Sequence, residues 1–189
     1  MKKTISLLTG LLVICAASVC FADKSNESTA RVFVKVDPDI AVSTLTANVD
    51  MGSIQRGKIN GNVAFRVDAN QQYVQLSVAA SPLYKADNPT YNGPDAVAPI
   101  QLSSKATIAP ESATSAGASS VSVDLNQIGT IGAFPSLGCA PVTFESPQNG
   151  HFSQTVNTSF TWDQDQVEKP SGDYSGKVKL VAALMPSVY

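Results

Sequence analysis

Apolar and polar residues alternate with a period of two at many places along this chain, most clearly near its two ends. Between residues 30 and 42, Ala30, Val32, Val34, Val36, Ile40 and Val42 share one parity, while Arg31, Lys35, Asp37 and Asp39 hold the other. An extended backbone sends successive side chains to opposite sides, so this segment predicts a strand with one oily face and one wet face. Tyr174, Gly176, Val178, Leu180, Ala182 and Leu184 repeat the pattern near the C-terminus.

Shorter alternating runs lie between them. Val63, Phe65 and Val67 lead into Asp68, Ala69 and Asn70, which read as a turn, and Val74, Leu76 and Val78 follow and stop before Pro82; the spacing predicts a hairpin. Ile100 and Leu102, then Val121, Val123 and Leu125, then Phe160 and Trp162 mark further strands. Three stretches read as loops. Residues 84–99 are dense in Asn, Pro and Gly, residues 103–120 mix a partial strand with a Ser- and Thr-rich excursion, and residues 129–150 hold Gly132, Pro135, Gly138, Pro141, Pro147 and Gly150. No window outside the N-terminal leader carries a helical period. Seven or eight short strands in a single domain predict an all-β protein, an antiparallel sandwich, with a closed barrel as the competing architecture.

Composition narrows the setting. Lys2 and Lys3, the apolar run Ile5 to Ala17, and Cys20-Phe21-Ala22 form a secretory signal peptide over residues 1–22, cut after Ala22. Ile14 and Val19 precede Cys15 and Cys20, where lipoprotein processing prefers a small residue, so lipid anchoring is not expected. No membrane span is expected once the signal is removed. The mature chain then carries eleven basic against fifteen acidic residues, a formal charge of −4, with no basic cluster. Phosphate backbones gain little from such a surface, and nucleic acid is not an expected partner. Cys139 is the one cysteine left after cleavage, so no intrachain disulfide can form and stability must come from core burial or from partners.

The candidate chemistry is sparse. His151 and Cys139 share a Gly- and Pro-rich region, and a nucleophile pair would require the thiolate within hydrogen-bond reach of the imidazole. Asp163, Asp165, Glu168 and Asp173 cluster around a turn but lack the spaced oxygen ligands of a calcium loop. No catalytic residue, metal site or cofactor is expected. Trp162 and Phe160 are expected in the core, and Tyr84 and Tyr91 are the expected exposed aromatics.

Val32-Phe33-Val34-Lys35-Val36-Asp37-Pro38-Asp39-Ile40 resembles the mature N-terminus of colonisation-factor-type major fimbrial subunits, where an alternating strand enters a Val-Asp-Pro-x-Ile turn. Gly172-Asp173-Tyr174-Ser175-Gly176-Lys177-Val178 is similar to their closing Gly-Asp-Tyr-x-Gly-x-Val strand, while Pro186 ahead of the terminal Tyr189 departs from it. The resemblance lies at both ends of the mature chain, with the two motifs placed at the expected ends.

This resemblance implies an immunoglobulin-like sandwich missing its last strand, residues 37–189, preceded by an N-terminal extension over residues 23–36. A periplasmic chaperone fills the gap first, and the extension of a neighbouring subunit replaces it at an outer-membrane usher. Carried over, the donor face is Ala30, Val32, Val34 and Val36, and the acceptor-groove strand holds Tyr174, Val178, Leu180, Ala182 and Leu184. Pro38 marks the end of the donor, since it supplies no ladder hydrogen bond. The implied function is a non-enzymatic structural subunit of a surface fimbria, periplasmic during assembly, that mediates attachment. A secreted, self-contained β-sandwich that binds carbohydrate or protein through the 84–99 loop is the competing reading, and a periplasmic hydrolase using Cys139 and His151 a third.

Overall fold

The computed structural model describes residues 30–90, 97–165 and 169–185. Residues 1–22, expected to be a signal peptide, the polar residues 23–29, Tyr91 to Asp95, Glu168 and the end from Pro186 to Tyr189 lie outside the described residues. Asp37–Tyr189 makes one compact unit, and the chain through Val36 makes another.

The second unit is built of strands throughout: β1 (Ile40–Thr44), β2 (Gly57–Ala69), β3 (Tyr73–Ala80), β4 (Tyr84–Lys85), β5 (Gln101–Pro110), β6 (Val121–Asp124), β7 (Gln127–Ile131), β8 (Phe134–Gly138), β9 (Val142–Glu145), β10 (Phe152–Gln164), β11 (Tyr174–Ser175) and β12 (Val178–Leu184). No helix occurs among the described residues. One sheet runs β1-β2-β10-β5-β6. The other runs β12-β3-β8-β7, with β9 also on β3, and β4 with β11 forms a small third. Every ladder is antiparallel. The fold is therefore the all-β antiparallel sandwich that the alternation predicts.

The core explains why these segments are strands. On β10 every second residue from Phe152 to Gln164 is buried, so the central strand of the first sheet presents Phe152, Val156, Phe160 and Trp162 inward. Phe65 and Val67 of β2, Ala106 and Ile108 of β5, and Val74, Leu76 and Val78 of β3 complete one continuous cluster drawn from both sheets. Two inward polar residues of β10, Gln154 and Thr158, are paired, as burial requires. Gln154 accepts from the amides of Ser112 and Ala113 at 3.0 and 2.8 Å and donates to Ser146 Oγ at 3.0 Å, and the Thr158 hydroxyl donates to the Val63 carbonyl at 2.9 Å.

Four expectations need correction. The alternating runs at 63–67 and 74–78 are strands, but not a hairpin: β2 pairs β1 and β10 while β3 pairs β12, β8 and β9, so the turn at residues 70–72 carries the chain from one sheet to the other. Residues 129–150 are not a loop. β7 and β8 form a two-residue hairpin with Gly132 at φ 63° in its first central position, where a left-handed backbone matches the twist of the strands. Pro135 is tolerated in β8, and β9 follows after Cys139. Among the described residues there are twelve strands rather than seven or eight, because elements as short as β4 and β11 leave no periodic signature. Finally, the strand expected over residues 30–42 begins only at Ile40; Ala30–Asp39 belong to no ladder.

Candidate functional site

The two sheets each end on a strand whose inward face is incompletely covered. Residues directly opposite across an antiparallel ladder project to the same side of a sheet. On β1, Val42 stands opposite Val67, which is fully buried, yet Val42 is 39% exposed. On β12, Val178, Leu180, Ala182 and Leu184 stand opposite Ala80, Val78, Leu76 and Val74, all buried, yet of the four only Leu180 is itself buried. Val178, Leu180, Ala182 and Leu184 thus share the core-facing parity of β12, whereas Tyr174, expected on the same strand, lies on β11 in the small third sheet; cover is incomplete on both edge strands. β1 and β12 approach within 8 Å between Cα atoms, so the two uncovered edges border the same side of the core.

A cleft of about 590 Å³ opens at one end of these edges, beside Thr44 of β1 and Val178 of β12; Val42, Leu180, Ala182 and Leu184 do not line it. Val63, Phe65, Leu83, Trp162, Tyr174 and Val178 line its apolar wall, and the chain from Thr46 to Val49 and from Ser175 to Lys177 flanks it. An edge strand also presents backbone N–H and C=O groups without a ladder partner, so the cleft combines oily wall and hydrogen-bonding rim.

The Gly-Asp-Tyr-x-Gly segment shapes one side of it by close approach. A Cβ on Gly176 would lie 2.8 Å from Ser81 Oγ, 2.9 Å from Leu83 Cδ2 and 2.9 Å from the Pro82 carbonyl oxygen, so only glycine fits. That approach lets the Lys177 amide donate to Ser81 Oγ at 2.9 Å while the Ser81 amide donates to the Lys177 carbonyl at 2.9 Å. The Ser81 carbonyl in turn accepts from Trp162 Nε1 at 2.9 Å, which fixes the indole in the wall. Tyr174 is anchored by its hydroxyl on the Pro170 carbonyl at 2.9 Å, and burial raises its phenol pKa. Gly172, at φ 140°, supplies the backbone bend before it.

The predicted donor residues stand in the first unit. Val32, Val34 and Val36 are 93%, 87% and 74% exposed, and Ala30 is exposed with them. Phe33, on the opposite parity, is exposed too, with the Arg31 guanidinium 5.8 Å from its ring centre.

Other candidates are dispersed. Cys139 is buried in the core with its sulfur accepting from the Val78 amide at 3.3 Å, whereas His151 is exposed and its Nδ1 lies 3.2 Å from the Asn149 carbonyl. Among the described residues, no three His, Cys, Asp or Glu side chains group as a metal site. Trp162 and Phe160 are core residues as expected. Tyr84 is not the exposed loop aromatic of the sequence reading: it sits half-buried on β4, edge-on to Phe134 at 5.8 Å between ring centres, and burial raises its pKa. What the sequence missed is Ser81, the hub of the wall, and Val42 as a core-facing residue left open. A serine before a proline gives no pattern signal, and exposure at an edge is a property of the assembled sheets.

No protein-family model and no curated protein matches this chain.

Proposed function

We propose that this chain is a structural subunit of an extracellular fimbria, polymerised by donor-strand exchange along the chaperone–usher route, and that the fibre attaches cells to surfaces or to host cells. The observation that carries this reading is a pair of complementary defects. The core is half-covered along β1 and β12, and Val32, Val34 and Val36 repeat at the same two-residue period while facing solvent. A strand from another copy laid against β12 satisfies the edge backbone and covers Val42, Val178, Ala182 and Leu184 at once. Burying three valines at ~1.5 to 3 kcal/mol each contributes roughly 5 to 9 kcal/mol before ordering costs.

In this reading the sandwich is an immunoglobulin-like fold lacking its last strand. The periplasmic chaperone holds the cleft before the neighbouring subunit does, and the outer-membrane usher is where the exchange occurs. The reading invokes no cofactor and no catalysis. The resemblance of both chain ends to colonisation-factor-type subunits supports it, as does the leader at residues 1–22 that addresses the chain for export.

The test is Val34→Asp, made in the full chain and expressed with its assembly partners. A carboxylate cannot enter an apolar cleft without a large desolvation cost, so this variant should be captured by the chaperone but form no fibres. Fibres of ordinary length from Val34→Asp would overturn the assignment.

A further inference from the structure

The root of the N-terminal extension is held by a single side chain from the turn between the sheets. Asn70 Oδ1 accepts from the Asp39 amide at 2.7 Å, and Asn70 Nδ2 donates to the Asp37 carbonyl at 2.8 Å. The Asn70 amide also donates to the Asp39 carbonyl at 3.2 Å. Three hydrogen bonds thus gather Asp37 and Asp39 onto residue 70, with Pro38 between them contributing a fixed φ and no donor that would need a partner. β1 begins immediately afterwards, with Ile40 opposite Ala69, so the clamp sits where the first ladder starts.

We infer that Asn70 is a positioning residue that terminates the exchangeable segment at Val36. This rests on the strand-exchange reading above and goes beyond it, by assigning the boundary between the part of the chain given to a neighbour and the part kept. An amide side chain suits the task because it offers an acceptor and a donor in one plane, matching the N–H and C=O that Asp39 and Asp37 present on the same side. Aspartate at this position keeps the acceptor and loses the donor, and alanine loses both. The consequence for a fibre is a short joint: residues up to Val36 lie in one subunit, residues from Asp37 are tied to the next, and no slack separates them.

Two measurements on the mature full-length chain, in whichever state it purifies, test this. Hydrogen exchange of the Asp39 amide should accelerate about fivefold in Asn70→Ala, since a net hydrogen-bond contribution near 1 kcal/mol is lost there, while core amides of β10 stay unchanged. Asn70→Asp should leave the Asp39 amide protected. Fibres of Asn70→Ala, imaged by electron microscopy, should then bend more, with persistence length falling by at least about half, because a joint freed of its clamp gains conformational freedom. An Asp39 amide that exchanges at the wild-type rate in Asn70→Ala overturns the clamp, and unaltered fibre stiffness despite faster exchange overturns its role at the joint. If the wild-type chain forms no fibre at all, the strand-exchange reading fails instead, and the exchange rates alone decide whether Asn70 holds the root.

Discussion

Single positions in this protein carry consequences that their residue types alone do not announce. Gly176 matters through what it lets approach, since a methyl group there meets a serine hydroxyl oxygen, a backbone carbonyl oxygen and a leucine methyl below 3 Å. Gly176→Ala should therefore destabilise the domain by about 1 to 3 kcal/mol, the range for overpacking, as read by the midpoint of urea unfolding. Gly172, at φ 140°, is constrained by backbone conformation as well as by space. On the outer face of the first sheet, Asp68 accepts from Arg66 Nε at 3.0 Å and from the Ser153 hydroxyl. These hydrogen bonds, the Arg66 contact first, lower its pKa below the ordinary 3.8. A carboxylate with a depressed folded pKa stabilises the fold fully above the unfolded value and loses that contribution as pH falls through the folded one. Below about pH 4 the stability of the wild type should then fall more steeply than that of Asp68→Asn, a difference that denaturation midpoints across pH 2 to 6 would reveal.

Whole strands show where parity decides energy. On β12, Leu180 is buried opposite Val78, while Val181 points the other way and is exposed. Leu180→Ala should cost about 2 to 5 kcal/mol as a core truncation, and Val181→Ala about 0.5 kcal/mol, measured by chemical denaturation. Equal costs would mean that the strand's register is wrong. This parity is legible in the sequence, as are the inward faces of β2, β3 and β6, whereas β10 shows only Phe160 and Trp162 because Gln154, Thr158 and Gln164 take inward positions, and β5 shows only Leu102 because most of it lies in a Ser- and Thr-rich stretch. Partner choice is not legible. Asp68-Ala69-Asn70 reads as a hairpin turn, yet the chain crosses between sheets there, since a turn of given composition serves either connection. Residues 127–138 hide their strands for a different reason: glycine and proline, which usually break strands, here supply a tight turn at Gly132 and a place on β8 at Pro135 that the β3 ladder, limited to Leu137 and Gly138, does not reach. Of the candidate site, the acceptor parity on β12 could be read beforehand, whereas the cleft could not, because it arises from β1 and β12 ending two different sheets on the same side of the core.

At the scale of the whole molecule the decisive quantity is core left uncovered. A sandwich with a full complement of strands buries the inward residues of its edges, but here Val178, Ala182 and Leu184 face the core and are only half-buried, and Val42 beside them is exposed. Apolar area in that position stabilises the fold only when something is laid over it, so stability becomes linked to the concentration of whatever fits. A peptide of residues 30–37, carrying Val32, Val34 and Val36 at the right period, should act as such a ligand for the Val34→Asp protein, whose own extension cannot serve a neighbour. At a hundredfold excess over its dissociation constant the stabilisation is about 2.7 kcal/mol, and it should grow with the logarithm of peptide concentration in thermal unfolding. The same peptide with aspartate at its Val34 position should produce no shift, because its backbone can still pair with the edge while its side chain cannot enter the cleft. That pair of peptides separates the two components of strand addition: a shift from both would assign the site to backbone pairing alone, a shift from neither would leave the uncovered face without a strand-shaped occupant, and a shift from the apolar peptide only would show that the side-chain slots select what completes the fold.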